Sequence, residues 1–184
     1  MEVTDPASVE KAVQGIKEKA KTIDLLINNA GVIGSKMNVS LLEVDNNELN
    51  NVFNTNVSGV LNVTNKLIPI FNQEKKTIVI NISSDISSIT KIKEHSKLAY
   101  KVSKCALNML NKVYSLEFKD KAIFVALHPG WLDTELGRNP YVFFLKFFNF
   151  FHSNLRSWRK RKQKPLFPSR RYPKGCQFGL FIER

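Results

Sequence analysis

Three short apolar runs, separated by segments of helical length, place the strongest constraint on how this chain can fold. The runs are Ile23–Asn28 (IDLLIN), Thr77–Ile82 (TIVINI) and Ala122–Leu127 (AIFVAL). They are nearly unbroken in apolar character, which is typical of strands covered on both faces in a parallel sheet. Strands that alternate with helices along the chain build such sheets. The pattern therefore predicts an α/β fold with a parallel sheet.

Apolar residues recur at three- and four-residue intervals in three segments, and this spacing predicts helices. The first runs from Pro6 to about Ala20, with Asp5 as its N-cap. The second lies within Ser40–Ile70 from about Asn46, and the third covers Leu98 to about Phe118. The residues predicted to face inward are Val9, Ala12, Val13, Ile16 and Ala20 in the first helix; Val52, Phe53, Asn56, Val57, Val60, Leu61, Val63, Thr64 and Leu67 in the second; and Val102, Ala106, Met109, Leu110 and Val113 in the third.

The charge is distributed unevenly and divides the chain into two parts. Residues 138–184 hold 12 of the 28 basic residues and one of the 16 acidic ones, so they carry a net charge of +11 and residues 1–137 carry +1. The same 47 residues hold all seven arginines and nine of the 13 phenylalanines. We therefore predict a domain over 1–137 and a basic, Phe-rich tail over 138–184. The high net charge of the whole chain does not by itself indicate nucleic-acid binding.

The tail admits several interpretations. We favour a disordered or loosely packed extension without a selected role. Alternatively, the run RSWRKRKQK is typical of nucleic-acid or nuclear-localisation patches. The run YVFFLKFFNFF is too short to span a bilayer but could lie in a membrane surface, or its phenylalanines could cover an active-site mouth. Cys176–Ile182 (CQFGLFI) could form a last strand.

Composition excludes several classes of protein. A hydrophobic content of 43% and a charged content of 24% exclude wholesale disorder and collagen. Two cysteines and the lack of an apolar signal core at the N-terminus predict a cytoplasmic protein in a reducing compartment. The histidines and carboxylates show no metal-ligand spacing, so we expect no metal site. His128 is expected to be structural, at the end of a strand.

Polar signatures follow each predicted strand, where the functional edge of a parallel sheet lies. They are the Asn28–Gly31 segment, the Ser83-Ser84 pair and the turn Pro129-Gly130. On the third helix, Tyr100 and Lys104 have the i, i+4 spacing that places both on one face. A lysine beside a phenol favours the phenolate and so lowers its pKa, and such a tyrosine can exchange a proton with a carbonyl or alcohol oxygen. A serine hydroxyl can hydrogen-bond the same oxygen.

These motifs together resemble the short-chain dehydrogenase/reductase (SDR) family. The matching elements are NNAG (Asn28–Gly31), Asn56, NISS (Asn81–Ser84), YKVSK (Tyr100–Lys104) and PGWLDT (Pro129–Thr134). Within the family, the sequence looks most like the branch of C-factor and sniffer-type carbonyl reductases. The resemblance covers about Met1 to Gly137. The resemblance implies a Rossmann-like, doubly wound parallel sheet and an NAD(P)H-dependent oxidoreductase that reduces a small carbonyl substrate.

The resemblance also implies a role for each catalytic candidate. Tyr100 would be the general acid, and Ser84 would polarise the carbonyl, with Ser83 as the alternative. Lys104 would lower the Tyr100 pKa and bind the nicotinamide ribose. Asn56 would join a proton relay with Lys104 through water.

The cofactor implied by the resemblance is NADP or NAD, with NADP slightly preferred. Besides Tyr100 and Lys104, the implied cofactor-binding residues are Asn29, Ala30 and Gly31 on the adenosine side, and Pro129, Gly130, Leu132 and Thr134 at the nicotinamide carboxamide and neighbouring phosphate. Family members often pair through the helices that correspond to Asn46–Ile70 and Leu98–Phe118, so a homo-oligomer is also implied.

The sequence departs from the family pattern at its beginning. The glycine-rich turn that cradles the pyrophosphate is absent, because no Gly-x-x-x-Gly-x-Gly pattern occurs. We therefore expect a partial Rossmann-like sheet that lacks its first strands, leaves Asp24–Asn28 as a bare edge and binds the cofactor weakly or not at all. Two alternatives follow: a non-enzymatic fragment that binds a protein partner through this edge, and nucleic-acid or membrane binding by the tail.

Overall fold

The fold is known from a computed structural model that describes residues 1–36, 38–129 and 179–181. Helices and strands alternate along the chain, as the sequence predicts. In order, the elements are α1 (Pro6–Lys19), β1 (Leu25–Asn28), α2 (Asn46–Phe53), a π-helical turn (Asn54–Ser58), α3 (Gly59–Leu67), β2 (Thr77–Ile82), α4 (Leu98–Glu117), β3 (Ala122–His128) and β4 (Gly179–Phe181).

The strands form one sheet in the order β1-β2-β3-β4. The first three strands are parallel, with Asn28 opposite Asn81 and Ile82 opposite Leu127. This confirms the predicted Rossmann-like α/β class. The carboxyl ends of the three strands therefore lie at one edge, where the polar motifs follow them. Within the described residues, β1 pairs only with β2, so its other side is the predicted bare edge.

The core joins α1, α3 and α4 to the sheet. The N-cap Asp5 accepts a hydrogen bond from the Ala7 amide at 2.9 Å, and the helix that follows buries Val9 and Val13. Tyr114 of α4 stacks on Phe124 of β3 with 5.1 Å between ring centroids. The remaining buried members of this cluster are Val63, Leu67, Phe71, Val79 and Ala122.

The second predicted helix is interrupted by a π-helical turn. Asn54–Ser58 lies between α2 and α3, and it carries the fully buried Asn56. A π turn adds a residue to the helix repeat, so the faces before and after it are rotated with respect to a regular helix. Phe53 and Leu61 were predicted to face inward, but they are 36% and 39% exposed.

The orientation predicted for α4 is wrong at three positions. Val102, Met109 and Val113 are 42%, 65% and 50% exposed, although their spacing predicts an inner face. The helix instead turns a mostly polar face inward; its buried residues are Lys101, Ser103, Lys104, Leu107, Asn111 and Tyr114. This orientation is possible because the buried polar side chains are hydrogen-bonded, which offsets their loss of water.

The tail is represented by a short strand. Gly179–Phe181 pairs antiparallel with β3 and lies inside the predicted Cys176–Ile182 strand, which is longer. The predicted domain boundary at 137 and 138 and both tail motifs lie outside the described residues. No helix in the described part of the chain is long and apolar enough to cross a membrane.

Candidate active site

Ser84, Tyr100 and Lys104 come together at the carboxyl edge of the sheet. Ser84 lies two residues after the end of β2, whereas Tyr100 and Lys104 lie one turn apart near the start of α4. The Ser84 hydroxyl lies close enough to the Tyr100 phenol to act on its pKa. The Lys104 ammonium lies 5.6 Å from the centre of the Tyr100 ring. A hydroxyl, a phenol and an ammonium therefore share one small region.

Lys104 is almost completely buried, and its environment disfavours the charged form of its side chain. The side chain is 3% exposed, and Nζ donates to the carbonyl oxygen of Ile82 at 2.7 Å. Loss of hydration disfavours the ammonium and lowers the pKa of Lys104 to about 8. Within the described residues, Ile82 is the hydrogen-bond acceptor of this group, so further N–H donors remain for a ligand.

The pKa of Tyr100 is raised, opposite in direction to the sequence-based expectation. Burial of the phenol is the largest cause; a hydrogen bond from Ser84 acts against it, and the charge of Asp85 adds to it. Burial prevails because the phenolate would lose its hydration. Tyr100 is therefore protonated at neutral pH and able to donate a proton.

The two serines that follow β2 have different partners. Ser83 is 3% exposed, and its hydroxyl donates to Oδ1 of Asn108 at 2.6 Å. Ser84 is less buried and contacts Tyr100 and Asp85. Because the Ser83 hydroxyl is committed to α4, the geometry favours Ser84 over the alternative Ser83.

Asn56 connects the π turn to the loop after β1 and to α4. Its Nδ2 donates to the Val32 carbonyl and to Ser103 Oγ, both at 2.9 Å, and its Oδ1 accepts from the Val32 amide at 2.8 Å. A Cβ added to Gly31 would lie 3.3 Å from Asn56 Oδ1 and 3.4 Å from Lys104 Nζ. A side chain at Gly31 would therefore crowd both polar atoms, and the bare backbone of glycine avoids this.

The first residue of NNAG is part of a buried amide network that the sequence analysis did not identify. Asn28 Nδ2 donates to Asn81 Oδ1 at 2.8 Å and to Thr64 Oγ1 at 3.1 Å. Asn81 in turn donates to Asn111 Oδ1 at 2.9 Å. The spacing of these residues carries no shared signal, since they lie on four different elements. The network fixes β1, β2, α3 and α4 beneath the site.

The residues present fit the nicotinamide end of a dinucleotide. Gly31 lies against Lys104, the lysine predicted to bind the nicotinamide ribose, and it is preceded by the exposed Asn29 and Ala30, which were predicted on the adenosine side. Pro129 follows β3 directly. Gly130, Leu132 and Thr134, the other residues predicted at the nicotinamide carboxamide, lie outside the described residues.

Comparison with known proteins identifies the family. The family model described as short chain dehydrogenase matches residues 1–141. The chain belongs to the short-chain dehydrogenase family. It is similar to the NADPH-dependent pterin aldehyde reductase of Arabidopsis thaliana, with 34% identity over 137 residues that cover 73% of this chain and 54% of that protein. It is also similar to the C-signal protein of Myxococcus xanthus, with 34% identity over 116 residues that cover 62% of this chain and 69% of that protein.

Solved structures agree with this assignment. The carbonyl reductase Sniffer of D. melanogaster matches with a TM-score of 0.69 and 26% identity over 74% of this chain and 60% of that one. An NADPH-bound carbonyl reductase from chicken fatty liver matches with a TM-score of 0.63 and 33% identity over 71% and 56% of the two chains. The chain thus spans little more than half the length of most of these proteins. The comparisons support the oxidoreductase family and give no support to a non-enzymatic fragment.

Proposed function

We propose that this chain carries the catalytic part of an NAD(P)H-dependent reductase that converts a small carbonyl compound to an alcohol. The observation that carries the proposal is the convergence of Ser84, Tyr100 and Lys104 at the carboxyl edge of the sheet. Proton donors gathered at this edge suit a reaction in which negative charge develops on a carbonyl oxygen.

Each side chain has a role that follows from its environment. Tyr100, held protonated by burial, donates its proton to the oxygen of the substrate. Ser84 donates a hydrogen bond to the same oxygen and fixes its position. A bound reduced nicotinamide supplies the hydride. Lys104 binds the nicotinamide ribose with the N–H groups that Ile82 leaves available, and Asn56 holds the Val32 segment beside it.

We favour NADPH as the cofactor. Support comes from two of the similar proteins, whose names include NADPH. A cytoplasmic location, which the small number of cysteines favours, belongs to the same proposal. A purified chain that oxidises NADH faster than NADPH at equal concentrations would contradict the cofactor preference.

A Tyr100→Phe substitution tests the proposed acid. The full chain is assayed for oxidation of NADPH with a panel of aldehydes and ketones. We expect the substitution to reduce kcat at least 100-fold, on the scale of general acid catalysis. The matched control is Tyr114→Phe in the same helix, which removes a buried phenol whose hydroxyl donates to Asn65 Oδ1 at 2.6 Å, far along α4 from Tyr100.

The two substitutions together separate chemistry from folding. Tyr114→Phe is expected to retain most of the activity, although it costs about 1 kcal/mol of stability through the lost hydrogen bond. Full activity in Tyr100→Phe, or no carbonyl reduction by the unchanged chain with either cofactor, contradicts the proposed function.

We also propose that the chain forms a homo-oligomer through α4 and the α2–α3 helix. Support comes from apolar side chains that α4 exposes along one face, at Val102, Met109, Val113 and Leu116. The upper part of this face borders an open, apolar groove of about 770 Å³. Exposed apolar patches of this kind mark interaction surfaces.

A further inference from the structure

The turn after β2 is tied to α4 by a chain of hydrogen bonds through three side chains. Ser83 Oγ donates to Oδ1 of Asn108 at 2.6 Å, and Nδ2 of Asn108 donates to Ser87 Oγ at 2.7 Å. Ser87 Oγ in turn donates to the backbone carbonyl oxygen of Ser84 at 2.5 Å. Ser83 and Ser87 are 3% and 4% exposed, so both hydroxyls are shielded from water. We call this chain of bonds the Asn108 bridge.

The Asn108 bridge has one direction, because each hydroxyl has a single hydrogen to donate. The hydrogen of Ser83 goes to Asn108, and the hydrogen of Ser87 goes to Ser84. Ser87 Oγ is therefore left to accept from Asn108. The side chain at 108 has to accept at one end and donate at the other. A carboxamide has this polarity, whereas an ionised carboxylate of the same shape has acceptors at both ends.

Asn108 lies on the side of α4 that carries the proposed acid. Tyr100, Lys104 and Asn108 follow one another at intervals of four residues, a spacing that places them on one side of a helix. Lys104 Nζ donates to the Ile82 carbonyl oxygen at the end of β2, at 2.7 Å, and Asn108 holds the turn that follows. Ser84 therefore lies within a segment that is attached to α4 at two successive turns of the helix.

We propose that Asn108 is a positioning residue, which through the Asn108 bridge fixes the backbone of Ser84 relative to α4. The main chain of Ser84 determines where its hydroxyl can lie, so the bridge fixes the hydroxyl that is proposed to polarise the carbonyl. This inference deepens the proposed function and rests on it for the catalytic consequence. The hydrogen bonding of the turn does not depend on that function and can be measured without turnover.

Asn108→Asp reverses the polarity of the bridge without changing the size of the side chain. The carboxylate accepts from both serines, so the hydrogen of Ser87 turns to it and leaves the Ser84 carbonyl oxygen. The turn then keeps its backbone bonds, from the Ser87 amide to Ser84 and from the Ser88 amide to Asp85, both at 3.2 Å. A turn that has lost its side-chain bond is expected to open more often, and its amides to exchange faster with solvent.

Hydrogen exchange followed by NMR at pH 7 tests the bridge in the full chain. In Asn108→Asp, the protection factors of the Ser87 and Ser88 amides are expected to fall about fivefold or more, as for the loss of one hydrogen bond. The Ile80 amide, in the middle of β2 between two paired strands, is expected to keep its protection. The matched control is Asn62→Asp in α3, whose amide donates to the N-terminal segment at 3.3 Å and which should leave all three amides unchanged.

Acidification gives a second signature, which an asparagine with a merely structural role would not show. A protonated carboxyl again accepts at one end and donates at the other, so protection at Ser87 is expected to recover in Asn108→Asp as the introduced carboxyl takes up a proton. Asn108→Ala has no group to protonate and should not recover. Ser87→Ala removes the last bond of the bridge and is expected to lower protection at the same two amides; it decides the test if Asn108→Asp does not fold by circular dichroism.

Three results overturn the inference: unchanged protection in Asn108→Asp, an equal loss at Ile80, or the same acid profile in Asn108→Asp and Asn108→Ala. In an active chain, Asn108→Asp is expected to lower kcat about tenfold or more. The KM for NADPH should stay unchanged, because Lys104 keeps its own bond to Ile82, and an unchanged kcat contradicts the catalytic consequence. A chain that reduces no carbonyl contradicts the proposed function, whereas the exchange measurements still decide the role of Asn108.

Discussion

At the scale of single residues, burial acts in opposite directions on the two titratable groups of the site. It raises the pKa of the Tyr100 phenol and lowers the pKa of the Lys104 ammonium to about 8, because in each case the neutral form is favoured. The chain without ligand therefore holds a protonated acid beside a lysine whose charge is costly. The cost of that charge can be measured as stability.

Lys104→Met is expected to stabilise the chain at neutral pH. A buried ammonium whose pKa falls from 10.5 to about 8 costs the folded state about 3 kcal/mol below that pKa, at about 1.4 kcal/mol per pKa unit. Part of the gain is lost, because the Ile82 carbonyl oxygen loses its hydrogen-bond donor. Urea unfolding near pH 7 is therefore expected to show a net gain of about 1–2 kcal/mol.

The sign of the pH dependence is a second check on the same substitution. Between about 8 and 10.5 the folded chain has released the Lys104 proton and the unfolded chain still binds it, so the stability of the parent rises with pH. The difference between Lys104→Met and the parent should therefore shrink toward pH 10. Lys101→Met is a control in the same helix; it breaks the 2.7 Å ion pair with Glu94 and is expected to give no gain.

At the scale of elements, the π turn is held in place by contacts outside its own helix. Asn56 closes three hydrogen bonds to Val32 and Ser103, and its side chain is fully buried. Asn56→Ala removes the partner of the Val32 amide and carbonyl and one partner of Ser103, and it is expected to cost about 3 kcal/mol in denaturant unfolding. Asn54→Ala, exposed in the same turn, should change stability by less than about 0.5 kcal/mol. Equal effects of the two substitutions would contradict this role for Asn56.

Substitution of alanine for glycine is expected to have opposite effects on stability at two positions. Gly15 lies within α1, and a Cβ there would meet no atom within 4 Å, so Gly15→Ala should stabilise the chain by about 0.5–1 kcal/mol. Gly34 has a φ of +93°, and a Cβ there would collide with the Glu48 carboxylate. Gly34→Ala is therefore expected to destabilise by about 1–2 kcal/mol. Thermal unfolding of the two variants should move the midpoint in opposite directions; a rise in both would contradict the strained backbone at Gly34.

Elements that are set by local sequence patterns could be predicted, whereas elements that are set by contacts distant in the sequence could not. Thr77–Ile82 was predicted with its observed bounds, and the helix from Pro6 with one residue of difference, because apolar runs and caps are local signals. The convergence of Ser84, Tyr100 and Lys104 followed from strand order and motif spacing. The π turn did not, because it depends on Asn56 contacting a loop 24 residues away.

The orientation of α4 shows the same limit at the scale of the whole molecule. Periodicity assigns its apolar residues to the core, but Ser103, Lys104 and Asn111 are the side chains that find hydrogen-bond partners in the interior. The pattern alone cannot distinguish a stripe that faces the sheet from one that faces another chain. The apolar residues of α4 are consequently left on the surface. Without a partner to cover them, their hydrocarbon side chains are exposed to water.

A second copy of the chain that packs against α4 would cover this stripe, and the state of assembly tests whether it does. We expect the purified chain to sediment as a dimer or larger species at micromolar concentration. Met109→Glu places a charge in the centre of the stripe, where association would bury it, and is expected to shift the protein to monomer. Leu42→Glu is the control, since Leu42 is 96% exposed but lies in a turn outside the helix. A monomeric parent, or a Met109→Glu variant that assembles as the parent does, would show that α4 faces water and not another subunit.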